Sequence, residues 1–342
     1  MAERRLPSPR PELRGLPPAV HGGDAPDGVV DCSTGVSPLP PPPAVLAAIA
    51  AADVTRYPHP TALPLRRAIA AAHAVDGAGA VDAAGAVDVD CIVAGAGSVE
   101  LIWALARAFG GPGRRVGYVA PAFAEYAQAA RASGAEVLAV ADASDARLAD
   151  VDLAFVARPG NPTLALPSLT KLTAPLTIVD EAYLPLCADV QPMVHTPHLA
   201  VLRSLTKLFA LPGLRLGYLI AARPVADAVR AALPPWNVSQ PAIAAGVAAL
   251  AEPTAPVRAA IAALRERLVA QLSALRARIV AANGTFVVVD VGDATAFAAA
   301  LYAHGARVRD CTSFGLPSLV RVGVRGADDQ ARLVAAWRKV VA

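Results

Sequence analysis

The sequence has little cysteine and little net charge for its length of 342 residues. Its four cysteines (Cys32, Cys91, Cys187 and Cys311) lie far apart and form no C-x-x-C pair, which argues against a metal site and against a disulfide framework. We expect reduced thiols in a cytoplasmic protein with no bound metal. Because the net charge is only +3 and no basic stripe is interleaved with aromatic residues, we expect no nucleic-acid partner.

Long apolar runs are also missing. No run reaches the roughly 18 residues that a membrane span requires. Residues 1–20 are basic and proline-rich, without the apolar segment of a secretory signal. We therefore expect no membrane partner, and we expect the first 20 residues to be disordered, with order beginning near His21.

Apolar residues are nevertheless abundant, at 55% of the chain, whereas charged residues make up 17% and aromatic residues 5%. From about residue 90 to 220, short apolar runs alternate with amphipathic helical patterns. The runs are continuous rather than alternating in polarity, which is typical of a parallel sheet covered by helices on both faces. The sequence therefore predicts an α/β fold.

The pattern changes after Pro234-Pro235. Residues 239–282 have a helical composition, and beyond them short strands alternate with helices, which predicts a smaller α+β unit. The Ala-Val-Asp repeats at 74–88 predict a flexible surface loop without a function. The predicted parts are an N-terminal arm at 1–44 that packs beside the second unit, a large domain at 45–236 and a small domain at 237–342.

Lys207 ends an apolar, strand-like run in the segment VLRSLTKLFALPGLRLGY, residues 201–218. Most lysines lie on the surface, and that is the plain alternative here. A lysine that is desolvated at the end of a strand can form a Schiff base with a carbonyl compound. Ser204 and Arg215 would suit a phosphate group beside it.

Asp180 and Glu181 end another apolar run, in TIVDEAYLP, where α/β sheets place their ligands. A buried aspartate there needs a cationic partner, either a metal ion, although no third ligand lies nearby, or a protonated heterocyclic nitrogen. Capping of the next helix is the structural alternative. The Asn161-Pro162 turn follows a third apolar run, and it either is an ordinary turn or aims the Asn161 amide into the same crevice.

A glycine turn, Gly95-Ala96-Gly97-Ser98, joins a predicted strand to a predicted helix. Backbone N–H groups at the start of a helix can bind a phosphate. The dinucleotide fingerprint is incomplete, because Glu100 stands at the third glycine position, and an ordinary tight turn is the alternative. Together, the amine, the acid, the amide and the phosphate cup are the parts that pyridoxal phosphate needs.

With these motifs on one chain, the sequence resembles the fold-type-I pyridoxal-phosphate enzymes. Within them it resembles the branch that contains histidinol-phosphate aminotransferase and the threonine-phosphate decarboxylase of cobalamin synthesis. The resemblance runs from about His21 to the C-terminus and is carried by residues 201–218, PPWNVSQPA (234–242), HGG (21–23), DCSTGVSPLPPPP (31–43), APAFAEY (120–126) and RDCTSFGLPSLVRVGVR (309–325). It implies a large domain with a mostly parallel seven-stranded sheet between helices, a smaller α+β domain, and a homodimer.

The resemblance also implies roles for individual residues. For the cofactor, Lys207 would bond to its aldehyde, Asp180 would pair with the ring nitrogen, Asn161 and Tyr183 would bind the phenolic oxygen, and Phe123 would stack on the ring. For the cofactor phosphate, the ligands would be the N–H groups of Gly97, Ser98 and Val99, with Ser204, Arg215 and, from the neighbouring subunit, Tyr57. For the substrate, Arg321 would bind the carboxylate, and Arg325 and His21 would bind its phosphate or its carboxylate. Core packing of Phe123 and Tyr57, and an exposed Arg325, are the structural alternatives.

Three positions depart from the family pattern. Leu164 replaces the glycine expected after Asn161-Pro162-Thr163, Ser37 replaces an asparagine that relatives place near the substrate, and Ala96 replaces an asparagine in the phosphate cup. None of them touches Lys207 or Asp180, so the implied cofactor stands. Ser37 leaves the identity of the substrate open.

The expected activity is that of a pyridoxal-phosphate-dependent lyase or a class I/II aminotransferase. We favour decarboxylation of L-threonine O-3-phosphate to aminopropanol phosphate, with histidinol-phosphate-like transamination as the alternative, because the sequence leaves open which Cα bond breaks. A catalytically silent binding protein on this fold and a nicotinamide enzyme that uses the glycine turn are alternatives of different classes.

Overall fold

The computed structural model describes residues 8–75, 87–187, 190–193 and 195–341, which form two sheets and the helices around them. The strands are β1 (Val30–Cys32), β2 (Ile92–Gly95), β3 (Arg115–Val119), β4 (Glu136–Val140), β5 (Leu153–Ala157), β6 (Thr177–Asp180), β7 (Leu199–Ser204), β8 (Gly217–Ile220), β9 (Arg278–Asn283), β10 (Phe286–Asp290), β11 (Ala306–Asp310) and β12 (Leu319–Gly323). The helices are α1 (Pro43–Ala50), α2 (Leu63–Val75), α3 (Ser98–Phe109), α4 (Glu125–Ser133), α5 (Arg223–Ala231), α6 (Gln240–Ala251), α7 (Thr254–Ala274), α8 (Ala294–Ala303) and α9 (Ala327–Val341). The predicted α/β fold is confirmed.

The large sheet has seven strands in the order β2-β8-β7-β6-β5-β3-β4. β8 runs antiparallel to β2 and β7, and the other neighbours pair in parallel. β6 and β7 are buried along their whole length, as their continuous apolar sequences predict. Because β5, β6 and β7 are parallel, their carboxyl ends meet at one edge of the sheet, and Asn161, Asp180 and Lys207 stand at or just beyond those ends.

The second sheet has five strands in the order β1-β11-β12-β10-β9. β1 comes from the N-terminal arm and pairs in parallel with β11, so the arm contributes a strand to this sheet. The remaining pairs are antiparallel. In the pairing of β11 with β12, Arg309 lies directly opposite Arg321.

The predicted helical segment at 239–282 is wrong at its end. Residues 278–283 form the edge strand β9, whose side chains alternate between exposed and half-buried. Alanine-rich sequences favour helices, but pairing with β10 overrides that preference here. The Asn283-Gly284 dipeptide between the two strands, with Gly284 at φ 51°, is a hairpin signal that predicts the break.

The N-terminal segment contacts α4. Side-chain hydrogen bonds join residues 8–20 to that helix in both directions. Gln128 Nε2 donates to the carbonyl of Pro17 at 2.8 Å. In return, Arg10 Nη2 donates to the carbonyl of Ala132, also at 2.8 Å. Of the repeats predicted to be a flexible loop, residues 76–86 lie outside the described residues.

A buried ion pair fastens β6 to β7 beside the strand ends that carry Asp180 and Lys207. Arg203 Nη2 and Nε donate to Glu181 Oε2 at 2.8 and 3.0 Å, and the Met193 N–H donates to Oε1 at 2.7 Å. Burial raises the pKa of the Glu181 carboxyl, and the Arg203 charge counteracts that rise. The pair holds the two strands in register at the edge where ligands bind.

We expect Glu181→Ala to lower the free energy of unfolding by about 3–5 kcal/mol, because it leaves the Arg203 charge buried without its partner. Urea denaturation of the purified protein measures this loss. The matched control is Glu136→Ala, which breaks an exposed pair with Arg115 and is expected to cost less than about 1 kcal/mol. Equal losses in the two variants would contradict the structural role of Glu181.

In the part of the chain that the structure describes, no single helix is long and apolar enough to span a membrane. α6 and α7 meet the length and composition test only together, as a pair bent by 87°. The described residues also contain no group of three His, Cys, Asp or Glu side chains arranged to hold a metal ion.

Candidate active site

Lys207 follows β7 and lines two cavities, one of 810 Å³ and one of 70 Å³, which share Phe123, Asn161 and Tyr183 as wall residues. Its Nζ lies 5.3 Å from the centre of the Tyr183 ring. The Lys207 carbonyl accepts a hydrogen bond from the backbone N–H of Ser37 at 2.9 Å, which anchors the turn to the N-terminal arm. The amine is therefore held at the junction of the two cavities.

Asp180 ends β6, and its carboxylate is buried in the wall of the smaller cavity. Tyr126 Oη donates to Oδ2 at 2.7 Å, and the Ala182 N–H donates to Oδ1 at 2.9 Å. Burial raises the pKa of Asp180, while the Tyr126 and Ala182 hydrogen bonds and the Lys207 charge oppose the rise. A cation in the smaller cavity, such as a protonated ring nitrogen, would relieve the cost of burying this carboxylate.

Tyr126 is a residue that sequence reasoning missed, although it lies in the segment APAFAEY from which Phe123 was chosen. Its ring is stacked on Phe155 with 4.9 Å between the centres, and it meets Phe123 edge-on at 6.0 Å. Burial raises the pKa of the Tyr126 hydroxyl well above its ordinary value, and the Asp180 charge raises it further, so the hydroxyl stays a donor. Phe123 precedes α4 and Tyr126 lies in its first turn, and no local pattern marks Tyr126, because its bond to Asp180 spans 54 residues of sequence.

The glycine turn has the shape of an anion cup, with one correction. The Gly97 N–H already donates to the Gly95 carbonyl at 2.8 Å, so it is not the free donor that was expected. α3 begins directly after Gly97 without a side-chain cap from the described residues, and Ser98 and Val99 line the smaller and the larger cavity. The free N–H groups of this first helical turn can therefore donate hydrogen bonds to a phosphate.

Arg215 lies directly over this turn. Gly97 has φ +84°, which favours glycine, and a Cβ atom added there would come within 2.7 Å of Arg215 Nη2, so that the guanidinium would have to shift. Ser204 is placed differently from expectation: it is buried, its hydroxyl pairs with Thr206 Oγ1 at 2.8 Å, and it is not among the described residues that line either cavity.

Asn161 and Arg321 meet in the wall of the larger cavity. Arg321 Nη1 donates to Asn161 Oδ1, and Nη2 donates to the Ser33 carbonyl at 2.8 Å. The Arg321 guanidinium stands 4.1 Å from the centre of the Phe286 ring, and its Nε has no partner among the described residues. Burial lowers the pKa of Arg321. Its described contacts are with neutral groups, so a substrate anion would supply the missing countercharge.

Arg309 is a second buried cation beside Arg321, and sequence reasoning missed it. It lies opposite Arg321, is buried, and lines the same cavity. Its Nη2 donates to the Val20 carbonyl at 2.9 Å and to Ser313 Oγ at 2.8 Å. Burial lowers the pKa of Arg309, and the charge of Arg321 lowers it further. Two like charges on adjacent strands disfavour folding unless an anion bridges or pairs them.

His21 lines the larger cavity, and its ring centre lies 5.6 Å from that of Phe123. Its binding of the substrate stays a prediction. Ser37 and Arg325 are not among the described residues that line this cavity. Ser37 Oγ accepts from the Leu39 N–H at 3.2 Å. Arg325 donates to the carbonyls of Asp31 and Thr34 at 2.6 and 3.1 Å, so it clamps the arm and does not reach the substrate side.

Tyr57 is 82% exposed and contacts Trp236 with 5.0 Å between the ring centres. It is not among the described residues that line the cavities of its own chain. It is therefore not a core aromatic, and its contact with the site of a neighbouring subunit stays a prediction.

The chain was compared with known proteins. Residues 27–336 match the family model described as "Aminotransferase class I and II". Histidinol-phosphate aminotransferase 1 of Thiobacillus denitrificans is 32% identical over 92% of this chain and 86% of the relative.

Two solved structures extend the comparison. Histidinol-phosphate aminotransferase of Sinorhizobium meliloti, solved in complex with pyridoxal-5'-phosphate, superposes with a TM-score of 0.81 at 22% identity, covering 92% of this chain and 91% of that one. L-threonine-O-3-phosphate decarboxylase of Porphyromonas gingivalis superposes with a TM-score of 0.74 at 23% identity, covering 91% and 99%. At these identities the two structures show a shared fold.

Proposed function

The chain belongs to the aminotransferase class I and II family, and we propose that it decarboxylates L-threonine O-3-phosphate to aminopropanol phosphate for cobalamin synthesis. The cofactor is pyridoxal 5'-phosphate, and Lys207 would bond to its aldehyde. More generally, the proposed substrate is an amino acid with a second anionic group.

The residues around Lys207 fit this cofactor. The free N–H groups at the start of α3 and the Arg215 guanidinium above Gly97 suit its phosphate. Asp180 suits its ring nitrogen, and Phe123 lines both cavities beside the ring position. When bound, the cofactor draws electrons from the bonds at the substrate Cα atom.

The observation that carries the choice of substrate is the buried pair Arg309 and Arg321 on facing strands. Directly opposed residues of antiparallel strands have Cβ atoms about 5 Å apart. Because the two arginine side chains leave the backbone so close together, their guanidinium groups suit a short substrate with two anionic ends. Threonine phosphate carries a carboxylate on Cα and a phosphate ester on the neighbouring Cβ, whereas histidinol phosphate carries a phosphate and no carboxylate.

The charge of the larger cavity supports the same conclusion. Its described wall contains five basic side chains (Arg131, Lys207, Arg215, Arg309 and Arg321). Its acidic member is Glu125, which is paired with His21 at 2.8 Å. A strongly positive cavity attracts a dianionic amino acid and raises its local concentration.

Which Cα bond breaks depends on the orientation that the arginines impose. With the substrate carboxylate on Arg321, decarboxylation would break the bond between that carboxylate and Cα and release CO₂. In transamination the Cα–H bond would break instead, and the Lys207 amine would remove the proton. The direction in which Arg309 draws the second anion therefore selects the reaction.

Transamination of a histidinol-phosphate-like substrate is the second candidate. It is favoured by the 32% identity to the relative from Thiobacillus denitrificans. A glutamate amino donor would also suit two arginines, because it has two carboxylates.

The proposal includes a homodimer, in which the exposed Tyr57 and Trp236 contact a second copy of this chain. Light scattering of the purified protein tests the dimer.

One assay separates the candidates. Purified protein loaded with pyridoxal phosphate is given L-threonine O-3-phosphate alone, and then histidinol phosphate with 2-oxoglutarate. CO₂ release without consumption of a keto acid supports the first candidate, and glutamate formation supports the second. If neither substrate turns over, the proposed activity is wrong, and a silent binding protein becomes the better description.

We expect Arg309→Met to lower kcat/KM for the phosphorylated substrate by about 10- to 100-fold, because one charge-assisted hydrogen bond to the second anion is lost. Steady-state kinetics measure the change. Arg278→Met on the edge strand β9, whose side chain is 74% exposed, is the control and should leave kcat/KM unaltered. Similar losses in both variants would argue against a substrate contact at Arg309.

A further inference from the structure

Glu125 is a buried carboxylate in the wall of a cavity that otherwise suits anions. It is the first residue of α4, and its side chain is 9% exposed. Its two oxygens have different partners: His21 Nε2 lies 2.8 Å from Oε1, and Trp103 Nε1 donates to Oε2 at 2.7 Å. The three residues come from the N-terminal arm, from α3 and from α4, so the contact joins three separate elements.

The arm segment Pro17–Gly22 forms part of the wall of the 810 Å³ cavity. Val20, His21 and Gly22 also line a cavity of 410 Å³. The segment therefore belongs to the walls of both cavities, and we call it the strap. It has no helix or strand of its own, and its described fastenings include the His21 contact, the Gln128 hydrogen bond to Pro17 and the Arg309 hydrogen bond to Val20.

The Trp103 hydrogen bond limits how Glu125 can turn, because the indole N–H occupies one oxygen and leaves the other for His21. A carboxylate held in this way orients the ring of its histidine partner, which donates to it through Nε2. The ring nitrogen left for the cavity is Nδ1, and it donates to an anion only when the imidazole carries protons on both nitrogens. The imidazole is thereby oriented on the same strap whose carbonyl group at Val20 is bound by Arg309.

We propose that Glu125 is a positioning residue for the second anionic group of the substrate: held by Trp103, it fixes His21 and the strap Pro17–Gly22 against the cavity. This inference rests on the proposed function, in which Arg309 draws that anion, and on the expected role of His21 in binding it. Glu125 acts through His21 and does not touch the substrate itself.

A purely local role is the competing explanation. A carboxylate in the first turn of a helix stabilises the helix dipole. Glu125→Gln would weaken α4 on that account, whether or not His21 is present. The two explanations therefore differ in how a Glu125 substitution and a His21 substitution combine.

The test is a double-mutant cycle on the protein loaded with pyridoxal phosphate, with inorganic phosphate as the ligand in calorimetry. We expect Glu125→Gln and His21→Asn each to weaken phosphate binding about tenfold. We expect the double variant to be no weaker than His21→Asn alone. Trp103→Phe, which removes only the indole donor, should weaken binding in the same direction. Glu136→Gln, on the exposed surface of β4, is the control and should match the unmodified protein.

Hydrogen exchange of the strap supplies a readout that needs no turnover. Faster exchange at residues 19–22 in Glu125→Gln and in Trp103→Phe supports the proposal. Additive losses of phosphate binding in the cycle, or unchanged exchange of the strap, would overturn it. If the strap and phosphate results hold but L-threonine O-3-phosphate is not turned over, the proposed function fails while the positioning role of Glu125 stands.

Discussion

Lys207→Ala is expected to lower turnover by at least about 10³-fold, the scale on which loss of a catalytic nucleophile acts in other enzymes. Lys207 stands where the two cavities meet, and its amine faces Tyr183 without a carboxylate contact among the described ion pairs. No other described lysine lines either cavity, so no neighbour can replace the amine. Steady-state assays with the substrate chosen above measure the loss.

Reduction of the loaded protein with borohydride, followed by peptide mapping, locates the bonded amine directly. The chain has three lysines, Lys171, Lys207 and Lys339, so the map has few possible outcomes. Lys171 is exposed, and Lys171→Ala is the matched control, which should keep both the label and the activity. A label on another lysine, or a Lys207→Ala variant with normal turnover, would refute the assignment.

Asp180→Asn is the substitution with the second largest expected effect, a loss of about 10²–10³-fold in kcat, the scale of losing one well-placed electrostatic group. The neutral amide keeps the shape of the side chain but cannot stabilise a protonated ring nitrogen.

Tyr126→Phe keeps the Asp180 carboxylate and removes one of its hydrogen bonds, so we expect a smaller loss in kcat of about tenfold.

Stability should change in the opposite direction. Burial raises the pKa of Asp180, so above that raised pKa the folded protein without cofactor holds a carboxylate that the unfolded chain accommodates more easily. Denaturation of the cofactor-free protein at neutral pH should show Asp180→Asn at least as stable as the unmodified protein. Below the ordinary aspartate pKa, where the carboxyl is protonated in both states, the difference should vanish. Lower activity accompanied by lower stability would indicate a packing defect instead.

Part of the site was predictable because strand ends are encoded locally. Asn161, Asp180 and Lys207 each follow a short apolar run, and parallel strands bring such ends together whatever the loops between them do. The same local patterns place the glycine turn before α3. Sequence reasoning failed where a pattern was ambiguous: the alanine-rich segment 278–283 has a helical composition, and only its partner β10 makes it a strand.

The missed residues are all defined by long-range contacts. Arg309 and Arg325 occur in the same motif, but the pairing of β11 with β12 brings Arg309 beside Arg321, whereas Arg325 lies beyond β12 and binds the arm. Tyr126 reaches Asp180 across 54 residues of sequence, and His21 reaches Glu125 across 104.

By itself, the sequence determined the class of fold and the family, and it placed the candidate cofactor residues at the strand ends. Those features depend on runs of a few residues and on the geometry that every parallel sheet shares. The tertiary structure alone decided which arginine lies opposite Arg321, which hydroxyl bonds to Asp180 and which carboxylate contacts the arm. Such contacts depend on register and packing between distant segments, and no local pattern of residues contains that information.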